Sequence, residues 1–419
     1  MSFSIAEMAK AARQASYSVA DLSQQQKNDA LEAMAAKLIE RTALILSENE
    51  RDLEAGRENG LTEAMIDRLR LTPERVADLA SALREVAQLD DPVGKMNNSF
   101  VRPNGIRVAK MKIPLGVIAM IYEARPNVTA EAAALCLKSG NAVILRGGKE
   151  ALFSNLVIAK CLHEALVEQD IDPNAISVVP DPDRAVMNEL MTLSDDVDLI
   201  IPRGGEGLIR FVSENSQIPV IQHFKGVCHL YVDEFANNEM ALDLLLNGKT
   251  QRTGVCNALE TLLIDQANPD FIQIAAKAMA DKGVKIHACE KSLATFKAAG
   301  CDAELATDAD WDAEYLALEL AVRVVDDFEH AIKHLEQYSS GHTEVICTDN
   351  LTRANTFVRR VNSAVVMVNA SSRFSDGGQL GLGAEIGIST SKLHAYGPMG
   401  LESLTTEKFV VIGEGQIRS

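Results

Sequence analysis

Aromatic side chains are scarce in this sequence: they account for 5% of the 419 residues, and tryptophan occurs once, as Trp311. A core of this size with few rings must consist mainly of aliphatic side chains and alanine, which suits helices packed on sheets. The length exceeds that of a single ordinary core, so we expect two or three domains.

Long apolar runs are also missing. The longest, at 113–122, spans about ten residues and is interrupted by Pro114 and Gly116, whereas a transmembrane helix needs roughly 20 residues. The first thirty residues contain no basic start followed by an apolar run, so no signal peptide is expected. We therefore predict a cytoplasmic protein that has no membrane partner.

Basic residues are fewer than acidic ones: 41 lysines and arginines stand against 59 aspartates and glutamates, which gives a formal net charge of -18. A field of this sign repels phosphate backbones, which argues against nucleic acid as a partner. It does not exclude an anionic small-molecule substrate, because a local cluster of arginine and lysine can override the global sign.

Cysteine pairs of the kind that bind zinc are absent. The seven cysteines are an odd number, and no Cys-x-x-Cys occurs among them, which argues against a disulfide framework or a structural zinc site. We expect no bound metal, and we expect His330 and His334 to lie on a solvated helix face. Reduced cytosolic thiols fit this usage, most of them as small buried hydrophobes.

Alternation of short apolar runs with helical stretches begins at about residue 113, after a mainly helical region at 1–90 and a hairpin-like Pro-Asn-Gly at 103–105. The alternation predicts an α/β fold, with a parallel sheet of Rossmann type and right-handed crossovers. The predicted strands of this part are 116–121, 142–145, 176–179 and 197–201.

A second alternating region, from about 237 to 365, predicts a second α/β domain. Its strands are predicted at 261–264, 284–287, 322–325 and 344–347. We expect the strand at 364–368 to return the chain to the first domain, and the Gly- and Ser-rich residues 371–400 to form a site loop. The predicted boundaries are 1–235 for a cofactor-binding domain, 236–365 for a catalytic domain, and 366–419 for a return segment with the site loop and a tail.

One cysteine lies in a polar loop between a predicted helix and a predicted strand. Cys256 follows Gly254 closely, near Lys249 and Arg252, whose charges can stabilise a thiolate. A buried structural cysteine fits the same pattern. The residues alone leave both interpretations open.

Glycine turns follow two of the predicted strands. The strand at 142–145 ends in Arg146-Gly147-Gly148-Lys149, and the strand at 197–201 is followed by Arg203-Gly204-Gly205-Glu206-Gly207. Glycines at strand ends let the backbone approach a pyrophosphate at a helix N-terminus. Arg146 and Lys149 can bind an extra phosphate, which favours NADP over NAD. Such turns are common in α/β proteins, so alone they are a weak signal.

The stretch 252–262, Arg-Thr-Gly-Val-Cys-Asn-Ala-Leu-Glu-Thr-Leu, resembles the gamma-glutamyl phosphate reductases of the aldehyde dehydrogenase superfamily. The resemblance continues at 121–129, 142–149, 202–207 and 380–401, in matching order and spacing, and it covers essentially the whole chain. It implies the aldehyde dehydrogenase fold: a Rossmann-type cofactor domain, a second α/β catalytic domain carrying Cys256, and a small oligomerisation arm.

The resemblance also implies roles for individual residues. Cys256 matches the nucleophile, and Asn127 stands where the superfamily places an amide for the oxyanion. Arg146 and Lys149 fall at the adenosine end of the cofactor, Gly204 and Gly205 under its pyrophosphate, and Glu314 at the nicotinamide ribose. Arg125, Arg252 and Arg373 are candidate substrate cations, although surface or structural ion pairs fit them equally. His223 replaces the glutamate base of the hydrolytic members.

The function that the resemblance implies is NADPH-dependent reduction of L-glutamyl 5-phosphate to L-glutamate 5-semialdehyde in proline biosynthesis, through a thioester on Cys256. A homo-oligomer and cooperation with a glutamate 5-kinase are expected with it. The alternatives are another acylating aldehyde dehydrogenase with a different substrate, and a non-catalytic scaffold with the same fold.

Overall fold

The chain forms two compact units in the computed structural model, which describes residues 3–418 apart from the side chain of residue 64. The first unit comprises the residues up to 222 with 382–387 and 399–418, and the second comprises 223–381 and 388–398. Among residues 3–418, no helix combines the length and the apolar character that a membrane span requires.

Several helices of the first unit begin at residues suited to capping. Ser4, Ser23 and Thr72 each accept a hydrogen bond from a backbone N–H in the first turn of the helix that follows. The helices are α1 (Ile5–Ala20), α2 (Gln24–Glu40), α3 (Thr42–Glu58), α4 (Glu63–Leu69), α5 (Pro73–Gln88), α6 (Asn127–Lys138), α7 (Leu152–Glu168), α8 (Arg184–Leu190) and α9 (Glu206–Asn215).

Two sheets belong to this unit. The antiparallel one has the order β1-β2-β16, and the Pro-Asn-Gly turn joins its first two strands, as predicted. The parallel one has the order β5-β4-β3-β6, and its predicted strands are confirmed. The strands are β1 (Met96–Val101), β2 (Arg107–Pro114), β3 (Val117–Tyr122), β4 (Ala142–Arg146), β5 (Ile176–Val178), β6 (Leu199–Arg203) and β16 (Thr405–Ile412).

The parallel sheet of the first unit is buried. All six side chains of β3 are buried, as is typical of a central parallel strand. Ile5, Ala9 and Ala12 of α1 pack against one face of it, together with residues of α8 and α9. Because these strands are parallel, the carboxyl ends of β3, β4 and β6 lie at one edge of the sheet, and the loops that follow them are partly exposed.

The second unit is built on a seven-stranded parallel sheet with the order β10-β9-β11-β8-β7-β12-β13. Its strands are β7 (Cys228–Val232), β8 (Leu259–Asp265), β9 (Lys285–Ala288), β10 (Ala303–Leu305), β11 (Glu319–Val325), β12 (Thr343–Cys347) and β13 (Val365–Val368). Its helices are α10 (Asn238–Thr250), α11 (Pro269–Asp281), α12 (Glu290–Ala298), α13 (Phe328–Tyr338) and α14 (Leu351–Arg360). Two short strands, β14 (Gly387–Ser389) and β15 (Gly397–Met399), follow later in the chain.

Two expectations about domain organisation are wrong. The boundary falls at 222/223 rather than 235/236, because β7 pairs with β8 and β12 inside the second sheet. The strand at 364–368 does not return the chain to the first unit, because β13 pairs with β12. The segment 366–419 is consequently divided between the units, and the chain returns at 382–387 and at 399–418.

The expectation for His334 is also wrong. Its side chain is buried rather than solvated, and Arg323 Nη1 lies 2.8 Å from its Nδ1. Burial lowers the pKa of this imidazole to about 2, so it is neutral at physiological pH. His330, by contrast, is partly exposed and lies 3.2 Å from Asp326 Oδ2.

Candidate active site

Cys256 lies in the irregular segment 251–258, which connects α10 to β8 in the second unit. Its side chain is partly buried, whereas Cys136, Cys161, Cys228 and Cys347 are buried. Burial raises the pKa of the Cys136 and Cys228 thiols far above the ordinary value, so these thiols stay protonated and unreactive at neutral pH. Cys256 is accessible enough to serve as a nucleophile.

The backbone around Cys256 is held on two sides. Asn257 Nδ2 donates to the carbonyl of Ser375 at 2.8 Å, and Ser372 Oγ donates to the carbonyl of Asn257 at 2.8 Å. On the other side, Cys228 Sγ donates to the carbonyl of Cys256 at 3.3 Å. These bonds fix the position of the nucleophile against the residues after β13 and the start of β7.

The lysine that we expected to stabilise a thiolate has another partner. Lys249 is fully buried, and its Nζ lies 2.6 Å from Glu260 Oε2 and donates to the carbonyl of Leu259 at 2.8 Å. The expectation for Lys249 is therefore wrong, because its Nζ is engaged by Glu260 and by the carbonyl of Leu259.

Arg373 lies close enough to both Cys256 and Arg252 for their charges to interact. Burial and the positive charge of Arg252 lower the pKa of the Arg373 guanidinium, and the negative charge of a Cys256 thiolate raises it. Arg373 Nε donates to Gln251 Oε1 at 2.7 Å, but its Nη1 is buried and has no hydrogen-bond partner among residues 3–418. An unpaired buried guanidinium nitrogen fits an anionic ligand. Arg125, the third candidate, is an exposed residue of the first unit.

Glu314 is linked to Cys256 through a glycine. Its Oε1 accepts a hydrogen bond from the N–H of Gly226 at 2.9 Å. A Cβ built on Gly226 would lie 2.1 Å from the carbonyl oxygen of Cys256, so the two backbones are in close contact. Lys225 Nζ also donates to the carbonyl of Asp312 at 2.9 Å. The segments 223–226 and 312–314 thus run side by side next to the nucleophile.

Trp311 and three histidines of the second unit form ring contacts with one another. Trp311 is buried, and its ring meets His334 edge-on at a centroid distance of 5.6 Å. The His223 ring lies 4.9 Å from the ring of His342. Burial lowers the pKa of His342 to about 3, so this imidazole carries no charge at neutral pH.

In the first unit, the glycine turn after β6 opens α9. In the sheet order, β4 and β5 lie on one side of β3, whereas β6 lies on its other side. The strand order therefore reverses between β3 and β6, which makes this position a topological switch point. The N–H of Gly205, the residue before α9, donates to Glu123 Oε2 at 3.0 Å, so a carboxylate already lies at this helix N-terminus. Gly204 and Gly205 are exposed, which lets a phosphate group approach.

The two cations at the end of β4 differ in their surroundings. Lys149 is exposed, whereas Arg146 is partly buried and its Nη2 donates to the carbonyl of Pro182 at 2.7 Å. Arg146 Nε is buried and has no hydrogen-bond partner among the described residues. The exposed glycines, the anion-accepting helix N-terminus and this unpaired donor fit a dinucleotide cofactor with an additional phosphate.

Asn127 is the first residue of α6, also in the first unit. Its Nδ2 donates to Glu131 Oε1 at 3.0 Å, one helical turn later. The side-chain amide is thereby oriented by its own helix.

Three residues that matter for this geometry were not predicted: Gly226, Cys228 and Glu260. Glu260 left a signal, because a carboxylate inside the apolar run 258–264 must have a buried partner. Gly226 and Cys228 left none, because their importance comes from contact with a segment about thirty residues later in the chain.

A family model described as the aldehyde dehydrogenase family matches residues 3–290, more than half of the sequence. The chain belongs to the aldehyde dehydrogenase family. Several proteins are similar in sequence to this aldehyde dehydrogenase over essentially its whole length. It is 58% identical over 418 residues to the gamma-glutamyl phosphate reductase of Colwellia psychrerythraea, with 99% of each chain covered.

Two further relatives bear the same name. The protein of Idiomarina loihiensis is 60% identical over 413 residues, with 98% of each chain covered. The crystal structure of gamma-glutamyl phosphate reductase from Thermotoga maritima is 43% identical, with a TM-score of 0.96 and coverage of 99% of this chain and 100% of that one. The aldehyde dehydrogenase fold expected from the sequence is confirmed.

Proposed function

We propose that this aldehyde dehydrogenase reduces L-glutamyl 5-phosphate to L-glutamate 5-semialdehyde and phosphate, with NADPH as reductant, in proline biosynthesis. The observation that carries the proposal is the full-length identity of up to 60% to relatives named gamma-glutamyl phosphate reductase. The chain is accordingly an oxidoreductase, and Cys256, one of its partly buried thiols, lies in a stretch that closely resembles this branch.

The first chemical step is assigned to Cys256. Its thiolate attacks the acyl carbonyl, the bond to the phosphate oxygen breaks, and inorganic phosphate leaves with the electron pair. We assign stabilisation of the oxyanion to the backbone N–H of Cys256 and the amide of Asn127; one such donor typically contributes roughly 10²–10³ in rate. Arg373, with its unpaired buried Nη1, and Arg252 are proposed to bind the anionic substrate.

The thioester must survive until it is reduced. The segment 223–226 carries His223 and no carboxylate, so this part of the chain offers no glutamate base to activate water against the thioester. When bound, the nicotinamide supplies the hydride that reduces the thioester carbon. Collapse of the resulting hemithioacetal then releases the aldehyde and restores the Cys256 thiolate.

Binding of the cofactor is assigned residue by residue. We propose that Gly204 and Gly205 contact the pyrophosphate, that Arg146 and Lys149 contact the additional phosphate of NADP, and that Glu314 contacts the nicotinamide ribose. Gly204 and Gly205 support this assignment because they are exposed, and Arg146 supports it through its unpaired Nε.

A homo-oligomer, a cytoplasmic location and delivery of the acyl phosphate by a glutamate 5-kinase complete the proposal. Acyl phosphates hydrolyse readily, which makes direct transfer from such a kinase advantageous. The sheet β1-β2-β16 has exposed apolar side chains that suit contact with a second copy.

The decisive experiment measures NADP reduction with glutamate semialdehyde, with and without inorganic phosphate. The reverse reaction needs phosphate to release the acyl group from Cys256, so we expect turnover only when phosphate is present. Cys256→Ala should abolish turnover. Cys289→Ala, which removes another partly buried thiol, is the matched control and should keep near-parental activity.

Other results of this assay would support a different function. Turnover that ignores phosphate would indicate hydrolytic or unrelated aldehyde chemistry. A phosphate requirement with other aldehydes preferred over glutamate semialdehyde would indicate a different acylating enzyme. A folded wild-type protein without any turnover would favour a scaffold.

A further inference from the structure

A buried ion pair closes the base of the loop that carries the nucleophile. Lys249 lies in the last turn of α10 and Glu260 is the second residue of β8, so the two flank the segment 251–258 from both ends. Both side chains have a relative exposure of 0%, and Lys249 Nζ lies 2.6 Å from Glu260 Oε2. Neither residue is one to which the reaction above assigns a chemical step.

Glu260 has a second contact that leaves this loop. Its other oxygen, Oε1, accepts a hydrogen bond from the N–H of Leu316 at 3.2 Å. Leu316 has a φ of 52°, in the left-handed region that disfavours a leucine. The local backbone at 316 is therefore strained, and an outside contact such as the one from Glu260 helps to maintain it.

Leu316 follows Glu314 by two residues, and Glu314 leads back to the nucleophile. Glu314 Oε1 accepts the N–H of Gly226, and Gly226 lies directly against the carbonyl of Cys256. The contacts thus form a closed circuit that runs from Glu260 through the 314–316 turn and Gly226 to Cys256. The chain from Cys256 to Glu260 completes it.

Stability alone is a poor explanation for this pair. Removing two charges from water costs about as much as their attraction returns, and apolar replacements of similar size are often neutral or stabilising. Burial raises the pKa of the Glu260 carboxyl to about 7 and lowers the pKa of the Lys249 ammonium. Both directions show that the surroundings disfavour the charges.

We propose that Lys249 and Glu260 are a positioning pair, which sets the Leu316 turn and thereby the carboxylate of Glu314 relative to Cys256. The pair touches neither substrate nor cofactor and acts through Glu314. The inference rests on the proposed function, because it takes Glu314 to contact the nicotinamide ribose. Loss of the Glu260 oxygen that accepts the N–H of Leu316 should weaken cofactor binding even where the protein remains fully folded.

Two double variants separate positioning from stability. K249M/E260M and K249M/E260Q both remove the two buried charges at similar volume, but only the glutamine retains an oxygen that can accept the N–H of Leu316. We expect the Kd for NADPH, measured by fluorescence titration, to rise about tenfold in K249M/E260M, near the upper value for one lost hydrogen bond. In K249M/E260Q it should stay within about threefold of the parent.

A buried ion pair of the first unit provides the matched control. Lys27 Nζ lies 2.7 Å from Asp91 Oδ2, and both side chains are largely buried. K27M/D91L should therefore change thermal stability but leave the NADPH Kd at the parental value. A rise in Kd equal to that of K249M/E260M would show a general effect of removing buried charges and would overturn the proposal.

Equal Kd values in the two Lys249 double variants, whether both parental or both weakened, would also overturn it. Should K249M/E260M fail to fold, Glu260→Asp replaces it, since the shorter side chain keeps a charge for Lys249 but withdraws from Leu316. A parental Kd for NADPH in Glu260→Asp would also overturn the proposal. Failure of the proposed function is distinguishable, because the wild-type protein would then not bind NADPH or would turn over without phosphate.

Discussion

Gly226 occupies a position where no side chain fits. A Cβ there would lie 2.1 Å from the carbonyl oxygen and 2.9 Å from the Cα of Cys256. Gly226→Ala must therefore displace either the nucleophile or the backbone N–H that Glu314 accepts. We expect kcat to fall by about 100-fold, the scale of loss for a displacement of about 1 Å in an active site. Phosphate-dependent NADP reduction measures it.

Gly254→Ala is the matched control for this prediction. Gly254 lies in the same loop, two residues before Cys256, and a Cβ built on it has no heavy atom within 4 Å. Its kcat should stay within about threefold of the parent. Parental kcat in Gly226→Ala, in a folded protein, would mean that the close contact with Cys256 is not needed.

At the scale of single residues, the sequence predicts the nucleophile but not the residues that hold it in position. Cys256 is identifiable because its neighbours form a distinctive string. The need for glycine at 226 arises only when β7 and β8 pair and bring 226 against 256, which no local pattern encodes. Lys249 illustrates the opposite case: nearness in sequence suggested a thiolate partner, but the helix directs its side chain to Glu260.

Among the elements, the strand β4 allows a test of cofactor preference. Lys149 follows the end of this strand and is exposed, so its removal should not disturb packing. If it contacts the additional phosphate of NADP, Lys149→Ala should raise the Kd for NADPH by about tenfold, the scale of one charge-assisted hydrogen bond. The Kd for NADH should not change, and titrations of both cofactors give the comparison.

Lys160→Ala is the appropriate control, since Lys160 is also an exposed lysine but lies on α7. It removes the same charge without removing a group from the end of β4. A weaker NADPH affinity in both variants would indicate a general effect of net charge. Such an effect becomes larger at low ionic strength, because salt screens it less.

The strands were easier to predict than their partners. Runs of apolar residues locate β3, β4, β5 and β6 to within a few residues, because strands buried on both faces have few polar positions. The same runs do not say which sheet a strand joins. The predicted boundaries place residues 228–232, where no strand is predicted but β7 forms, and most of β13 outside the second domain. Their pairing with β12 is a long-range property that no local pattern encodes.

On the scale of the whole molecule, the small antiparallel sheet suggests how copies associate. β16 is one edge of the sheet β1-β2-β16, and Phe409 and Val411 on it are 69% and 58% exposed. An exposed apolar edge strand promotes pairing with another chain. We expect the wild-type protein to be an oligomer and F409K/V411K to shift it toward the monomer, as measured by light scattering coupled to size-exclusion chromatography.

Tyr17→Lys serves as the control for that change. Tyr17 is 61% exposed on α1, away from the small sheet, so its replacement should leave the molar mass unaltered. A monomeric wild-type protein, or a double variant with the parental molar mass, would contradict the proposed role of β16.

The composition of the chain also gives it an optical property. Trp311 is the only indole in 419 residues, and it lies three residues before Glu314, against His334 and Arg323. Ultraviolet emission from tryptophan therefore comes from a single place, beside the carboxylate assigned to the nicotinamide ribose. The molecule thus carries its own fluorescent reporter of that turn, and its signal can be followed without any attached dye.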